Sequence, residues 1–228
     1  MKKFAVIVAG GSGQRMNSNV PKQFLLLRER PVIAHTIEVF LSAFEDLSVI
    51  LVLPESHLQD GEAIRKSFLA AETRIFPVAG GSSRFHSVQN GLKLVSDPSI
   101  VFVHDGVRCL TSRDLIVRCY EQAMEKGSAI PAVAATDSIR IIAGDSHHVA
   151  NRSDVRIIQT PQTFKSNLLL PAFEQDFDEA FTDEATVVEA AGTRVWLIDG
   201  EYENIKITRP TDLLLAERIL QERSSSLQ

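Results

Sequence analysis

"VAGGSGQRMNSNVPKQF", residues 8–24, carries an apolar run into a small-residue turn and sets an arginine and a lysine close behind it. Two familiar nucleotide-holding devices begin this way, and both fail here. A dinucleotide clamp needs G-x-G-x-x-G, whose third glycine lets helix and strand pack closely, and an acidic residue about twenty positions on for the ribose. Gly11-Ser12-Gly13 is followed by Gln14, Arg15 and Met16, so the third glycine is missing, and Glu55, the acid closing the next apolar run, arrives about twice too late. A P-loop needs G-K-[ST] to close the turn, and no such tripeptide follows. What is left is a strand end opening into a loop whose backbone N–H groups phosphate oxygens can approach, with Arg15 and Lys22 supplying full positive charges.

Working outward, apolar runs recur at 4–9 (FAVIVA), 48–53 (SVILVL), 100–105 (IVFVHD), 128–133 (SAIPAV) and 194–199 (RVWLID). They are continuous rather than alternating, the pattern of strands covered on both faces. Helical patterns lie between them. Ile33, Ile37, Phe40, Leu41 and Phe44 form one apolar stripe, and Phe85, Val88, Leu92 and Val95 form another. A third helix is expected to open with a capping box, Thr111-x-x-Asp114, and to close at Gly127. A last one has Pro210 as its first helical residue. The alternation predicts an α/β fold with a doubly wound, mostly parallel sheet. Residues 137–160 break the pattern with two short β-prone runs around "AGDS", read as a β-hairpin arm leaving the main sheet, an edge hairpin on that sheet being the alternative.

The 228 residues, 44% hydrophobic and 23% charged with a mean hydropathy of +0.02, suit one globular α/β domain with a large core. A net charge of −5 argues against broad nucleic-acid binding and requires that an anionic ligand be met by a few local cations. Cys109 and Cys119 form no C-x-x-C, so neither a zinc site nor a disulfide framework is indicated and a reducing cytoplasm fits best. The apolar run after Met1-Lys2-Lys3 is too short for a signal peptide, and no stretch approaches a membrane span.

The whole string A-G-G-x-G-x-R-M followed by P-K-Q resembles the signature of the sugar- and alcohol-phosphate nucleotidyltransferases, which share a Rossmann-like fold. The blocks "HSVQNGL" (86–92), "VHDGVR" (103–108), "QTPQTF" (159–164), "TDEA" (182–185) and "ENIKIT" (203–208) narrow the likeness to the 2-C-methyl-D-erythritol 4-phosphate cytidylyltransferases of non-mevalonate isoprenoid biosynthesis. The likeness runs from about residue 4 to residue 220, with the motifs in the family's order. It implies transfer of CMP from CTP to an alcohol phosphate, Mg²⁺ as the divalent cofactor, no nucleic-acid or membrane partner, and a homodimer whose arms, at about 137–158, complete one another's sites. Ribitol-5-phosphate cytidylyltransferases share nearly every block and stand as the alternative, since both acceptors offer one phosphate and several hydroxyls. A nicotinamide-dependent dehydrogenase and a catalytically silent nucleotide binder are the competing classes.

Carried over by position, the resemblance implies that Ala9, Gly10, Gly11, Gly13 and Gln14 cradle the triphosphate, with Arg15 and Lys22 neutralising its charge. Gly81, Ser82, Arg84 and Ser87 fall where the cytosine and its surroundings are read, and Gly106 lies near the ribose. Asp105, ending the run "IVFVHD", implies a metal and substrate ligand. Arg152 and Lys206 would grip the acceptor catalytically, supported by Arg108, Ser138 and Thr182. This chain has Ser82 where many members carry aspartate, Ser138 for the usual threonine, and "HDGVRC" where "HDAARP" is commoner.

Overall fold

The apolar runs become adjacent strands because each can be covered from both sides only at the centre of a sheet. In the computed structural model, which describes residues 1–11 and 20–225, β1 (Lys2–Val8) pairs in parallel with β4 (Leu47–Leu53) on one flank and with β6 (Ser99–Asp105) on the other. β5 (Ile75–Ala79) extends the sheet beyond β4, also in parallel. Past β6 comes β11 (Gln162–Lys165), antiparallel, and then β7 (Ser128–Ala134). β7 also carries β12 (Leu197–Asp199) in parallel and β10 (Arg156–Ile158) antiparallel. The order β10-β7-β11-β6-β1-β4-β5, with β12 on β7, makes eight strands among the described residues. β2 (Leu26–Leu27) and β3 (Arg30–Pro31) form a small separate ribbon.

Successive side chains enter opposite faces of the sheet. Ala5 and Ile7 of β1 join Val49, Leu51 and Phe102 against α1 (Val32–Ala43) and α4 (Arg113–Lys126). Phe4 and Val6 join Ile50, Val52, Val101 and Val103 against α3 (Arg84–Leu92), α5 (Ser166–Ala172) and α6 (Glu184–Ala190). The stripe predicted for α1 holds: Ile33, Ile37 and Phe40 are fully buried, although Phe44 packs from just beyond the helix end. α7 (Pro210–Ser225) starts at the predicted proline and closes a third cluster with Val107, Cys109 and Ile207.

The chain runs from β1 outward to β4 and β5, then returns to lay β6 on the opposite flank of β1. The carboxyl ends of β1 and β6 therefore border a topological switch point, the crevice where ligands bind in open α/β sheets. The Gly106 N–H, donating to the Val8 carbonyl at 2.9 Å, fastens the two strand ends together.

Three expectations need correction. The cap of α4 is Ser112, whose hydroxyl accepts the Leu115 N–H at 2.9 Å, and Thr111 is buried instead. Gly127 does end that helix, at φ +92°. The run ending at Asp199 is strand only over its last three residues. The predicted arm is narrower than 137–158: β8 (Arg140–Ala143) and β9 (Ser146–Val149) pair with each other alone, whereas Arg156–Ile158 returns to the main sheet. α2 (Leu58–Ser67), α5, α6, β5 and β11 had no strong signal, being short, polar or interrupted by proline.

Phe102 is fully buried, 5.9 Å edge-on from Phe40 and 6.2 Å from Phe44. Phe102→Ala is expected to lower unfolding free energy by about 3–5 kcal/mol, measured by urea titration; a loss below about 1 kcal/mol would contradict the central placement of β6.

Candidate active site

At the switch point a cleft of about 350 Å³ opens, lined by Val8, Gly10 and Gly11 after β1, by Gly81–Arg84 and Ser87 around the start of α3, and by Lys22, Asp105, Val107 and Lys206. Gly10 and Gly11 are exposed. Among the described residues a Cβ at either would meet only Ser87 Oγ or Lys22 Cε, at an ordinary 3.8 Å, and neither φ is positive. Side chains there would instead occupy the cleft. Gly81 differs, because a Cβ would lie 2.4 Å from the His86 Cβ. Its N–H donates to Ser87 Oγ at 3.0 Å, and the Ser82 and Ser83 hydroxyls both lie against His86 Nδ1, at 3.3 and 2.8 Å, so this loop is held to α3.

Asp105 is the one acid among the described residues lining the cleft, and it is 9% exposed. Its Oδ2 lies 3.1 Å from Lys206 Nζ and 3.3 Å from Arg108 Nε, and its Oδ1 lies 3.5 Å from Arg84 Nη2. Burial alone would raise the carboxyl pKa, but the charges of Arg84, Lys206 and Arg108 outweigh it and hold the group well below the usual carboxylate range. Glu184, 2% exposed, takes Arg84 Nη2 at 3.1 Å, yet burial pushes its pKa up to about 7, opposed by Arg84 and aided by Asp105 and Asp183. The cleft thus concentrates Lys22, Arg84, Arg108 and Lys206 in a protein whose net charge is −5.

Main-chain anchors fix these cations. Lys22 Nζ donates to the Ile207 carbonyl at 3.0 Å, the Ile207 N–H donates to Val107 O at 3.0 Å, and Arg108 Nη1 donates to Asn204 O at 2.7 Å. The segment around Lys206 is thereby laid against the turn after β6. Gln23 Nε2 holds the Ala9 carbonyl at 2.8 Å, and the Asp105 N–H donates to Thr160 Oγ1 at 3.0 Å. Thr160 can then donate to His104 Nδ1, 3.0 Å away, leaving His104 Nε2–H to donate to Arg108 O at 3.1 Å. His104 is fully buried, and desolvation pushes its pKa down to about 4.

The expected residues therefore divide. Gly10, Gly11, Lys22, Gly81, Ser82, Arg84, Ser87, Asp105 and Lys206 line one cleft, and Arg108 reaches it through Asp105. Ala9 is buried beneath it, and Gly106 faces α1, where a Cβ would come within 2.7 Å of Ile33 Cδ1. Thr182 is exposed beside the start of α6. Ser138 is exposed and Arg152 borders a different depression with Thr136 and Asn151, so neither lines the cleft within one chain. Gly13, Gln14 and Arg15 lie outside the described residues. Gln23, Thr160, Glu184 and Asn204 also brace the site, and each sits in one of the motif blocks, although its residue type alone does not signal that role.

Residues 4–222 match the family model for 2-C-methyl-D-erythritol 4-phosphate cytidylyltransferase. The chain belongs to that family. A 2-C-methyl-D-erythritol 4-phosphate cytidylyltransferase of Porphyromonas gingivalis is 44% identical over 221 residues, covering 96% of this chain and 98% of the relative. One of Phocaeicola vulgatus is 41% identical over 220 residues, covering 96% and 100%. Among solved structures, the 4-diphosphocytidyl-2C-methyl-D-erythritol synthase of Anaerococcus prevotii superposes with a TM-score of 0.81 at 29% identity, covering 96% of this chain and 99% of that one. The cytidylyltransferase of Thermus thermophilus gives 0.74 at 29% identity, covering 97% and 100%.

Because His104 is neutral in the fold and protonates near pH 6.5 when unfolded, its contribution is complete above that pH. It is lost as pH falls from about 6.5 towards 4. In denaturant titrations over that window the wild type should fall relative to His104→Gln by up to about 1.4 kcal/mol per pH unit; parallel profiles would show His104 to be already charged or exposed.

Proposed function

We propose that this chain transfers CMP from CTP to 2-C-methyl-D-erythritol 4-phosphate, releasing pyrophosphate and leaving the CDP-alcohol of isoprenoid biosynthesis. A phosphate oxygen of the acceptor forms the new bond to the α-phosphorus as the bridge to the β-phosphate breaks. That nucleophile arrives already anionic, so positioning and charge neutralisation supply the catalysis. The observation carrying the nucleotide site is the pair Gly10 and Gly11, glycines that open space in the cleft and relieve no crowding among the described residues. Lys22 and Arg15 would neutralise the triphosphate, Gly13 and Gln14 would complete its cradle, and the Gly81–Ser87 loop would border the base.

A divalent cation, expected to be Mg²⁺, fits Asp105. Mg²⁺ is commonly held by one or two carboxylates, taking its other ligands from phosphates and water, and among the described residues Asp105 Oδ1 is engaged only by Arg84, at the longer 3.5 Å. Held there by Asp105, a divalent cation would supply positive charge to offset that of the phosphates.

Acceptor recognition requires a second copy in this reading. Ile141, Ile142 and Val149 are exposed on a hairpin that pairs with no other strand among the described residues, an arrangement suited to contact with another subunit. Arg152 and Ser138 lie beside that hairpin. A homodimer in which the arm delivers Arg152 and Ser138 to the partner's cleft accounts for their distance from the chain's own. We place this enzyme in the cytoplasm; among the described residues no helix is long and apolar enough to cross a membrane.

Purified protein given CTP, Mg²⁺ and each acceptor in turn should release pyrophosphate with methylerythritol phosphate, and turnover of ribitol 5-phosphate alone would reverse the assignment. For the shared site, Lys22→Ala and Arg152→Ala should each lose about 10²–10³ in rate. Mixed after subunit exchange, the two inactive proteins should regain activity through heterodimers bearing one intact site; no recovery in verified heterodimers would show that each site takes both residues from one chain.

A further inference from the structure

Glu184 is a buried acid that the transfer reaction leaves unemployed. Taking an ion pair out of water returns little stability compared with apolar side chains in the same space, so its burial against Arg84 calls for another explanation. Its backbone is held from both sides. Asp183 caps α6 by accepting the Thr186 N–H at 2.9 Å, and Gln162 of the central sheet donates to Asp183 Oδ2 and accepts the Ala185 N–H, both at 2.8 Å. The carboxylate is thereby presented to Arg84 Nη2 at 3.1 Å, while the same nitrogen stands 3.5 Å from Asp105 Oδ1. Arg84 Nη1 is buried with no partner among the described residues.

We propose that Glu184 is a positioning residue for nucleotide binding, holding the Arg84 guanidinium at the cleft wall and away from Asp105. Remove that anchor and, among the described residues, Asp105 is the carboxylate left within 4 Å of Arg84, Asp183 being committed to Gln162 and to the cap of α6. A guanidinium pairs most strongly with a carboxylate through two parallel hydrogen bonds. Arg84 would close on Asp105, occupy its loosely engaged Oδ1, and narrow the cleft between α3 and β6. Glu184 is not among the residues lining the cleft and acts through Arg84.

The proposal rests on the cleft being the CTP site, so CTP binding is measured first, by calorimetry on the wild-type protein without acceptor. A wild type that takes up no CTP overturns the site assignment, and this proposal with it. Glu184→Gln keeps the size and hydrogen-bonding capacity of the side chain and is expected to weaken CTP binding about tenfold, with the acceptor KM changed less than about twofold. Arg84→Met should weaken CTP binding as well, and adding Glu184→Gln to Arg84→Met should change it no further, the signature of one residue acting through the other. Unaltered CTP binding in Glu184→Gln, or the same additional loss in the Arg84→Met background, would overturn the proposal. Glu184→Asp retains the charge but shortens its reach, which covers the case in which Glu184→Gln does not fold. It too should bind CTP more weakly, and wild-type affinity in that variant would count against the role.

Discussion

Among the described residues three cations converge on a single buried carboxylate, and the site is organised around that fact. Asp105 ends a strand buried along its whole length, where an unpaired charge would be untenable. Arg84 from the start of α3, Arg108 from the turn after β6 and Lys206 from the segment before α7 make the ionised form the stable one. The reverse also holds: without Asp105, three like charges would repel one another across a narrow cleft. One carboxylate therefore gathers three distant segments around the switch point of the sheet. Lys22 adds a further cation on the β1 side, which leaves the cleft with positive charge for an anionic ligand in a chain that is acidic overall.

Close to Asp105, precision comes from main-chain groups rather than from long side chains free to change rotamer. β1 and β6 are tied through Gly106 and Val8, the loop after β1 through Gln23 and Ala9, and the Lys206 segment through Ile207 and Val107. His104 belongs to this scaffold. Buried and neutral, with Thr160 on one ring nitrogen and the Arg108 carbonyl on the other, it is placed to brace the turn that carries Arg108 and not to exchange protons with a substrate. An anionic nucleophile has no need of such exchange.

The central strands are legible because burial on both faces writes itself as unbroken apolar runs; the runs at 4–9, 48–53 and 100–105 match β1, β4 and β6 to within two residues at each end. β11 is not legible, since Gln162 and Thr163 read as loop and reveal themselves only when β6 and β7 pair on either side. At the site, the glycines, Lys22, Asp105 and Lys206 were legible from the motif blocks. Gln23, Thr160 and Glu184 were not, because their work is done on other protein groups: a carbonyl, an N–H and a guanidinium that come near only in the folded chain. Arg152 and Ser138 show the opposite limit: the motifs mark their positions, yet neither lines the cleft of its own chain.

The turn after β6 shows how the chain accommodates its departures from the commoner "HDAARP" pattern. A proline at position 109 would stiffen the turn by fixing φ, and Cys109 gives up that restraint. Hydrogen bonds supply it instead: Gly106 N–H to Val8 O, Arg108 N–H to Asp105 O and Ile207 N–H to Val107 O brace the backbone from within and from two neighbouring segments. The side chains contribute as well. Val107 and Cys109, each about 5% exposed or less, pack with Leu27, Val32, Ile207 and Ala216, and burial pushes the Cys109 thiol up to about 12, so it behaves as a small apolar group. Rigidity that one residue could have provided through its own ring is thus distributed over a cluster reaching into α7, which couples the seat of Arg108 to the packing of the last helix.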